Sequence, residues 1–192
     1  FCTPANITSA RVWLPDTRDL GRGIEDMGYH DEDAEDAAAR QDPAGSWATL
    51  ASELVNLETL EIVLPDEINS PCWSAFDSCV FPNLSTAHVA FRSLCLYGVK
   101  SKAERESKER AYCDAAIAAF SNFLHKHPSL NSVSFAICSF GSHDGKSMGA
   151  DQLGALCANL PQSVVQLDIK AMTLSSEAAM RTLLQYVENI TD

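Results

Sequence analysis

Five times along this chain an apolar residue is followed, three and five positions later, by two more. The copies are Ile7/Ala10/Val12, Leu57/Leu60/Ile62, Leu84/Ala87/Val89, Leu130/Val133/Phe135 and Val164/Leu167/Ile169. The last two positions of each copy lie two residues apart, the period of a strand, so they share one face while the residues between them turn to the other. A turn-like lead-in precedes each copy: Pro4-Ala5-Asn6, Phe81-Pro82-Asn83, His127-Pro128-Ser129 and Leu160-Pro161-Gln162, with Val55-Asn56 in the same place. Each proline ends what comes before it and fixes where the strand begins.

What comes before is helical. Trp47, Leu50, Ala51 and Leu54 follow the i, i+3, i+4, i+7 spacing of one helix face. Cys113, Ala116, Ile117 and Phe120 do the same, with Leu124 a turn further, and so do Leu153, Leu156, Cys157 and Leu160. A shorter helix is predicted after Ser70, an N-cap residue followed by Pro71 at the first helical position, with Cys72, Trp73, Phe76, Cys79 and Val80 on one side. Met180, Leu183, Leu184 and Val187 predict a closing helix. The order is strand, then helix and strand four times, then helix.

Alternating strands and helices imply a parallel sheet, either doubly wound or stacked as a solenoid. A doubly wound sheet buries both faces, and its strands read as unbroken apolar runs. These strands alternate instead, with Thr59, Glu61, Thr86, His88, Ser132, Ser134, Gln166 and Asp168 at the intervening positions. One sheet face is therefore polar and expected to meet solvent. Successive strand starts are 50, 27, 46 and 34 residues apart, so the short interval is near leucine-rich-repeat length and the long ones hold insertions.

The segments Asn56-Leu57-Glu58-Thr59-Leu60-Glu61-Ile62 and Pro82-Asn83-Leu84-Ser85-Thr86-Ala87-His88-Val89 resemble leucine-rich repeats of the irregular, helix-containing type. That type is similar to the ribonuclease-inhibitor-like domains of fungal and other eukaryotic F-box proteins. The resemblance runs from about Pro4 to Val187. It implies an α/β leucine-rich-repeat-like solenoid, about five parallel strands with helices on the convex side, acting in protein recognition. In its sharper form it implies the substrate-recognition segment of an F-box-type ubiquitin-ligase adaptor. The asparagine that usually follows the strand in such repeats is missing, since Pro65, Arg92, Cys138 and Met172 lie at or near its place. No F-box-like helical segment is visible in the sequence.

A solenoid places the polar strand residues in columns across the units. The first column is Ser9, Thr59, Thr86, Ser132 and Gln166; the second is Arg11, Glu61, His88, Ser134 and Asp168; the third is Trp13, Val63, Ala90, Ala136 and Lys170. From these, Arg11, Trp13, Thr59, Glu61, Thr86, His88, Ser134, Gln166, Asp168 and Lys170 form the expected partner-binding set on the concave face. His88, Ser134 and Asp168 superficially suggest a Ser-His-acid arrangement. No G-x-S-x-G elbow accompanies them, and alternate parallel strands lie too far apart for the hydrogen bonds of a triad. A hydrolase on an ordinary α/β sheet is thus the weakest reading, and the expectation is a chain with no catalytic residues, metal or cofactor.

Charge and cysteine usage narrow the partners. Of the 192 residues, 26 are Asp or Glu and 14 are Lys or Arg, for a net −12, which disfavours nucleic acid. Residues 25–42 hold eight acids against Arg40, so −7 of that charge sits in one expected insertion, suited to a basic partner surface. An EF-hand would need a glycine and a closing glutamate at fixed offsets, and neither is present. Residues 98–110 form a second, mixed-charge insertion, read as a solvated loop and helix start. His125 and His127 end a helix where they can meet its last carbonyls. Gly141 to Gly149 reads as a turn or flexible loop, and Gly21-x-Gly23 lacks the third glycine of a dinucleotide loop.

Seven cysteines, at 2, 72, 79, 95, 113, 138 and 157, have no C-x-x-C spacing and lie in apolar segments, so buried thiols and an intracellular setting are expected. Three glycosylation sequons, at Asn6, Asn83 and Asn189, keep open a secreted or extracellular glycoprotein or effector. No apolar run approaches the ~18 residues of a membrane span, and the N-terminus lacks signal-peptide regions. The chain starts at Phe1 and reads as one domain, 1–192, from a longer protein.

Overall fold

The computed structural model describes residues 3–14, 43–66, 70–92, 96, 99–138, 146–148, 150–170, 172–174, 177, 178, 181, 184 and 185. A single 3-10 turn at Pro4–Asn6 leads into β1 (Ser9–Trp13), followed by α1 (Pro43–Glu53), β2 (Thr59–Leu64), α2 (Pro71–Ser78) and β3 (Thr86–Arg92). Then come α3 (Lys102–Lys126), β4 (Ser132–Cys138), β5 (Lys146–Met148), α4 (Ala150–Ala158), β6 (Gln166–Lys170) and β7 (Met172–Leu174). Strands β1, β2, β3, β4 and β6 form one parallel sheet in chain order.

The register follows from the period-2 pattern, because a slip of one residue would turn every apolar side chain to the wrong face. Leu60 and Ile62 pair with Ala87 and Val89, which pair with Val133 and Phe135, which pair with Leu167 and Ile169. In the inner strands these residues are buried to within 1 % of full enclosure, whereas Ala10, Val12, Leu167 and Ile169 on the outer strands are partly buried. Removing a Leu or Ile side chain from water contributes about 1.5–3 kcal/mol, so the inner strands anchor the sheet.

Helices α1 to α4 join the apolar face of the strands in one core. Trp73 of α2 meets Phe91 edge-on at 5.1 Å, Phe120 of α3 meets Phe135 at 5.1 Å, and Phe76 stacks on Phe123 at 4.6 Å. Leu153, Leu156 and Cys157 bury the inner side of α4. Consecutive parallel strands with helices on one face place each helix beside the next, and Lys126 at the end of α3 bonds the Asp77 carbonyl and carboxylate of α2. The cap expected before α2 is present: the Ser70 hydroxyl accepts from the Cys72 N–H at 3.3 Å, and Trp73 Nε1 donates to the Pro65 carbonyl at 3.0 Å.

Several expectations change. Leu50 and Val80 lie off the buried faces to which their spacing assigned them, at 40 % and 59 % exposed. Most of the 98–110 segment belongs to α3, which starts at Lys102 behind a Ser101 cap and buries nothing before Tyr112. Its first turns are held by Lys102–Glu106 and Lys108–Glu104 pairs four residues apart, a local support that apolar periodicity does not register. Within the expected 141–149 loop, Lys146–Met148 is a strand, paired in parallel with Met172–Leu174. Neither strand carries the long apolar alternation that marks the main sheet. Of the closing helix, residues 177, 178, 181, 184 and 185 are helical, with Arg181 bonded to Glu177. The acidic 25–42 segment, Gly21 and Gly23, Cys2, Cys95 and the Asn189 sequon lie outside the described residues.

Candidate functional site

The polar columns stand in register across the sheet. Ser9 pairs with Thr59, Thr59 with Thr86, Thr86 with Ser132 and Ser132 with Gln166. One step along, Arg11, Glu61, His88, Ser134 and Asp168 form the second row, and Trp13, Val63, Ala90, Ala136 and Lys170 the third. All ten expected contact residues therefore share one face. Arg11, Trp13 and Gln166 are exposed, while Thr59, Glu61, Thr86, His88 and Asp168 are half-buried. Ser134 is the exception: it is buried at 4 % exposure in the middle of the face, beside Ala136.

Two contacts organise the β1 side of this surface. Arg11 pairs with Glu61 at 2.9 Å across β1 and β2. The Arg92 guanidinium lies 5.9 Å from the Trp13 ring centre, within cation–π range. Arg92 is the face residue that sequence reasoning missed. Its signal was present, because Arg92 continues the alternation Thr86, His88, Ala90 by one further step. Behind the sheet, the Tyr112 hydroxyl donates to the Arg92 carbonyl and fixes the end of β3 from the helix side.

His88 sits at the centre of the second row, and its Nδ1 is buried with no hydrogen-bond partner. A Ser-His-acid triad requires one imidazole nitrogen on the carboxylate and the other on the hydroxyl. With Nδ1 unbonded, the row is not assembled as a triad in this conformation. Groups of three or more His, Cys, Asp or Glu placed to hold a metal ion are absent among the described residues.

The lead-in turns carry a second repeating geometry. The N–H of each core residue bonds the carbonyl three positions back: Ile7 to Pro4, Leu57 to Leu54, Leu84 to Phe81, Leu130 to His127, Val164 to Pro161. One carbonyl per unit then accepts two N–H groups of the next unit, in the series Thr8 to Glu58 and Thr59, Glu58 to Ser85 and Thr86, Ser85 to Asn131 and Ser132, Asn131 to Val165 and Gln166. Side chains add rungs. Asn56 Nδ2 donates to Ala5 O at 2.8 Å, Asn83 Nδ2 to Val55 O at 3.0 Å, and Ser163 Oγ to Pro128 O at 2.8 Å. In each case the residue before the motif bonds the carbonyl two before the preceding motif. The bridging asparagines thus stand before the strands, not after them where their absence is legible in the sequence.

The described cysteines at 72, 79, 113 and 157 are free and buried. Burial pushes the Cys79 thiol up to about 11, offset in part by the Trp47 indole and the nearby Lys126 charge. Burial raises Cys157 as well. Both shifts run opposite to the lowering that marks a reactive thiolate. Among the described residues no helix is long and apolar enough to cross a membrane. Comparison with protein-family models, curated proteins and solved structures finds no match to this chain.

Proposed function

We propose that the polar strand face is a protein-recognition surface on a short, irregular leucine-rich-repeat-like solenoid, with the sheet on its concave side. The observation that carries this reading is the unbroken register, over five parallel strands, of two polar rows and a third that runs from Trp13 to Lys170, opposite the face that packs into the core. A surface of this kind offers a partner charges, an exposed tryptophan and a histidine on a rigid backbone, and it needs no catalytic group. Arg11, Trp13, Glu61, His88, Asp168 and Lys170 are the contacts of this proposal, joined by Arg92. The repeat resemblance extends it to a substrate-recognition segment of an F-box-type ubiquitin-ligase adaptor in an intracellular setting. The free, buried cysteines support that setting.

The extracellular glycoprotein reading rests on the sequons. The rung geometry supplies another reason for the Asn83 sequon: Asn83 bridges to Val55, Leu84 enters the core, and Ser85 Oγ donates to Glu58 O at 3.2 Å. Asn, apolar and Ser in that order serve the stacking of units.

The test is quantitative affinity capture from cells with the chain, with an Arg11→Ala/Trp13→Ala/Glu61→Ala variant, and with a control variant on the exposed start of α3. Partners lost from the strand-face variant and kept by the control support the proposal. Equal capture by all three sinks it. Intact mass before and after glycosidase treatment separates the glycoprotein reading.

A further inference from the structure

Among the described residues the five-stranded sheet ends at β1 on one side and at β6 on the other, each hydrogen-bonded to a single neighbour. The Thr8 carbonyl and the Leu14 N–H both bond β2. Backbone groups alternate sides along a parallel strand, so the N–H and C=O of Ser9 and Arg11 face the open edge. On β6 the Gln166 N–H bonds the Asn131 carbonyl just before β4, and by the same alternation the N–H and C=O of Leu167 and Ile169 face the opposite edge. Open edges of this kind are templates for a further strand.

The two edges complement each other. Ala10 and Val12 on β1, and Leu167 and Ile169 on β6, are left partly buried, whereas their counterparts on the inner strands are enclosed. Between the members of each pair stands a charge, Arg11 on β1 and Asp168 on β6, of opposite sign. On its paired side β1 already meets such an arrangement: Arg11 stands opposite Glu61, between Leu60 and Ile62, and bonds it at 2.9 Å. Leu167-Asp168-Ile169 repeats that apolar-acid-apolar order at the same register positions.

The rungs before the strands match across the same gap. In each unit one carbonyl accepts two N–H groups of the next, and the place of Thr8, Glu58, Ser85 and Asn131 in that series belongs on β6 to the exposed Val165. On β1 the N–H groups of Thr8 and Ser9 hold the place of Glu58 and Thr59. Asn6 has the position and type of Asn56 and Asn83, which donate to Ala5 O and Val55 O, and the equivalent carbonyl before β6 is that of Gln162.

We propose that the β1 edge of one copy of this chain adds to the β6 edge of a second copy, continuing the parallel sheet head to tail. The Thr8 and Ser9 N–H groups donate to the Val165 carbonyl of the other copy, the Arg11 N–H to its Leu167 carbonyl and Asn6 Nδ2 to its Gln162 carbonyl. Arg11 lies opposite Asp168, and Ala10 and Val12 complete the burial of Leu167 and Ile169. The two patches differ, so the contact is heterologous, and assembly grows by addition of copies instead of stopping at a two-fold pair. This contact rests on the register of the sheet edges and not on the strand-face proposal, from which it stands or falls apart.

Sedimentation velocity of the full chain over a concentration series should show species that grow beyond the dimer. Arg11→Glu sets like charges against each other at the contact, as does Asp168→Arg, and each is expected to weaken assembly by roughly tenfold. Mixed in equal amounts the two variants should regain it, because the reversed β1 edge of one meets the reversed β6 edge of the other while their remaining edges still match. Ser9→Pro removes an outward N–H at the first position of an edge strand, where proline is tolerated, and is expected to block assembly with the unfolding midpoint unchanged. A monomer at every concentration, a two-fold dimer, undiminished assembly by a folded charge-reversal or Ser9→Pro chain, or failure of the mixed variants to assemble would each overturn the proposal.

Discussion

The Phe81 N–H, in the turn that leads into β3, donates to Nε2 of His127 at 2.9 Å, tying that turn to the end of α3. The other ring nitrogen donates to the Phe123 carbonyl at 2.7 Å, and the ring stacks on Phe81 with centroids 5.8 Å apart. Accepting at Nε2 while donating at Nδ1 is possible only for the neutral imidazole. A histidine at a helix end is ordinarily read as a cation meeting terminal carbonyls. Here it meets a carbonyl uncharged, because burial lowers its pKa below the ordinary 6.5, against the raising effect of the Phe123 bond.

Stability should therefore depend on this residue in acid. A folded-state value below the unfolded one means that the unfolded chain binds the proton first, so His127 contributes fully above about pH 6.5 and its contribution is lost as pH falls through the lowered value. Urea midpoints measured from pH 7.5 downwards should fall more steeply for the wild-type chain than for His127→Phe. At neutral pH that variant leaves the Phe81 N–H unsatisfied and should cost about 1–3 kcal/mol. Parallel pH profiles for the two chains would remove His127 as the titrating group.

The Asn83 rung should be worth a modest, measurable amount. Asn83→Ala removes the bond to Val55 O and the longer contact to Asn56 Oδ1 at 3.5 Å, and should cost about 0.5–1.5 kcal/mol. In a double-mutant cycle, Asn56→Ala and Asn83→Ala should couple weakly, since each makes its main bond to a different carbonyl. A cost within error for Asn83→Ala would reduce the rung to a passive contact.

The contrast between these rungs and the strands shows what was legible. Strand positions, their register and the polar columns follow from an apolar period of two repeated five times, and that period survives in the linear sequence. The Ser70-Pro71 cap was equally readable, because cap chemistry is local. The rungs were not, because Asn56, Asn83 and Ser163 differ in type and reach across 51, 28 and 35 residues. The 98–110 segment read as a loop and helix start, but where the helix begins is set by the Ser101 cap and charge pairing, which apolar periodicity does not locate, and β5 with β7 were missed because three residues hold too little pattern.

The buried thiols should resist alkylation in the native state. Cys72, Cys79, Cys113 and Cys157 are enclosed, and burial raises the value of Cys79 to about 11, so little thiolate is present or reachable at pH 8. Iodoacetamide followed by peptide mass mapping should label these four only after guanidinium unfolding. Fast native labelling at Cys79 would contradict its burial at the C-terminal end of α2, near Trp47.

The strand-face variants should separate binding from folding. Arg11 and Glu61 form their pair at a surface where the Arg11 side chain is 81 % exposed, so solvent screens the attraction and either alanine substitution should change stability by less than about 1 kcal/mol. Trp13 is 59 % exposed, whereas Trp47 and Trp73 are buried. Acrylamide should therefore quench one of three tryptophans readily, and Trp13→Phe should remove that component with little loss of stability. Arg92→Ala uncovers the Trp13 ring and should raise its quenching. If Trp13→Phe or Glu61→Ala instead lowers the unfolding midpoint as much as a core truncation such as Phe135→Ala, expected to cost about 3–5 kcal/mol, the face is a packed interface within the chain. A partner-binding role for those residues would then be untenable.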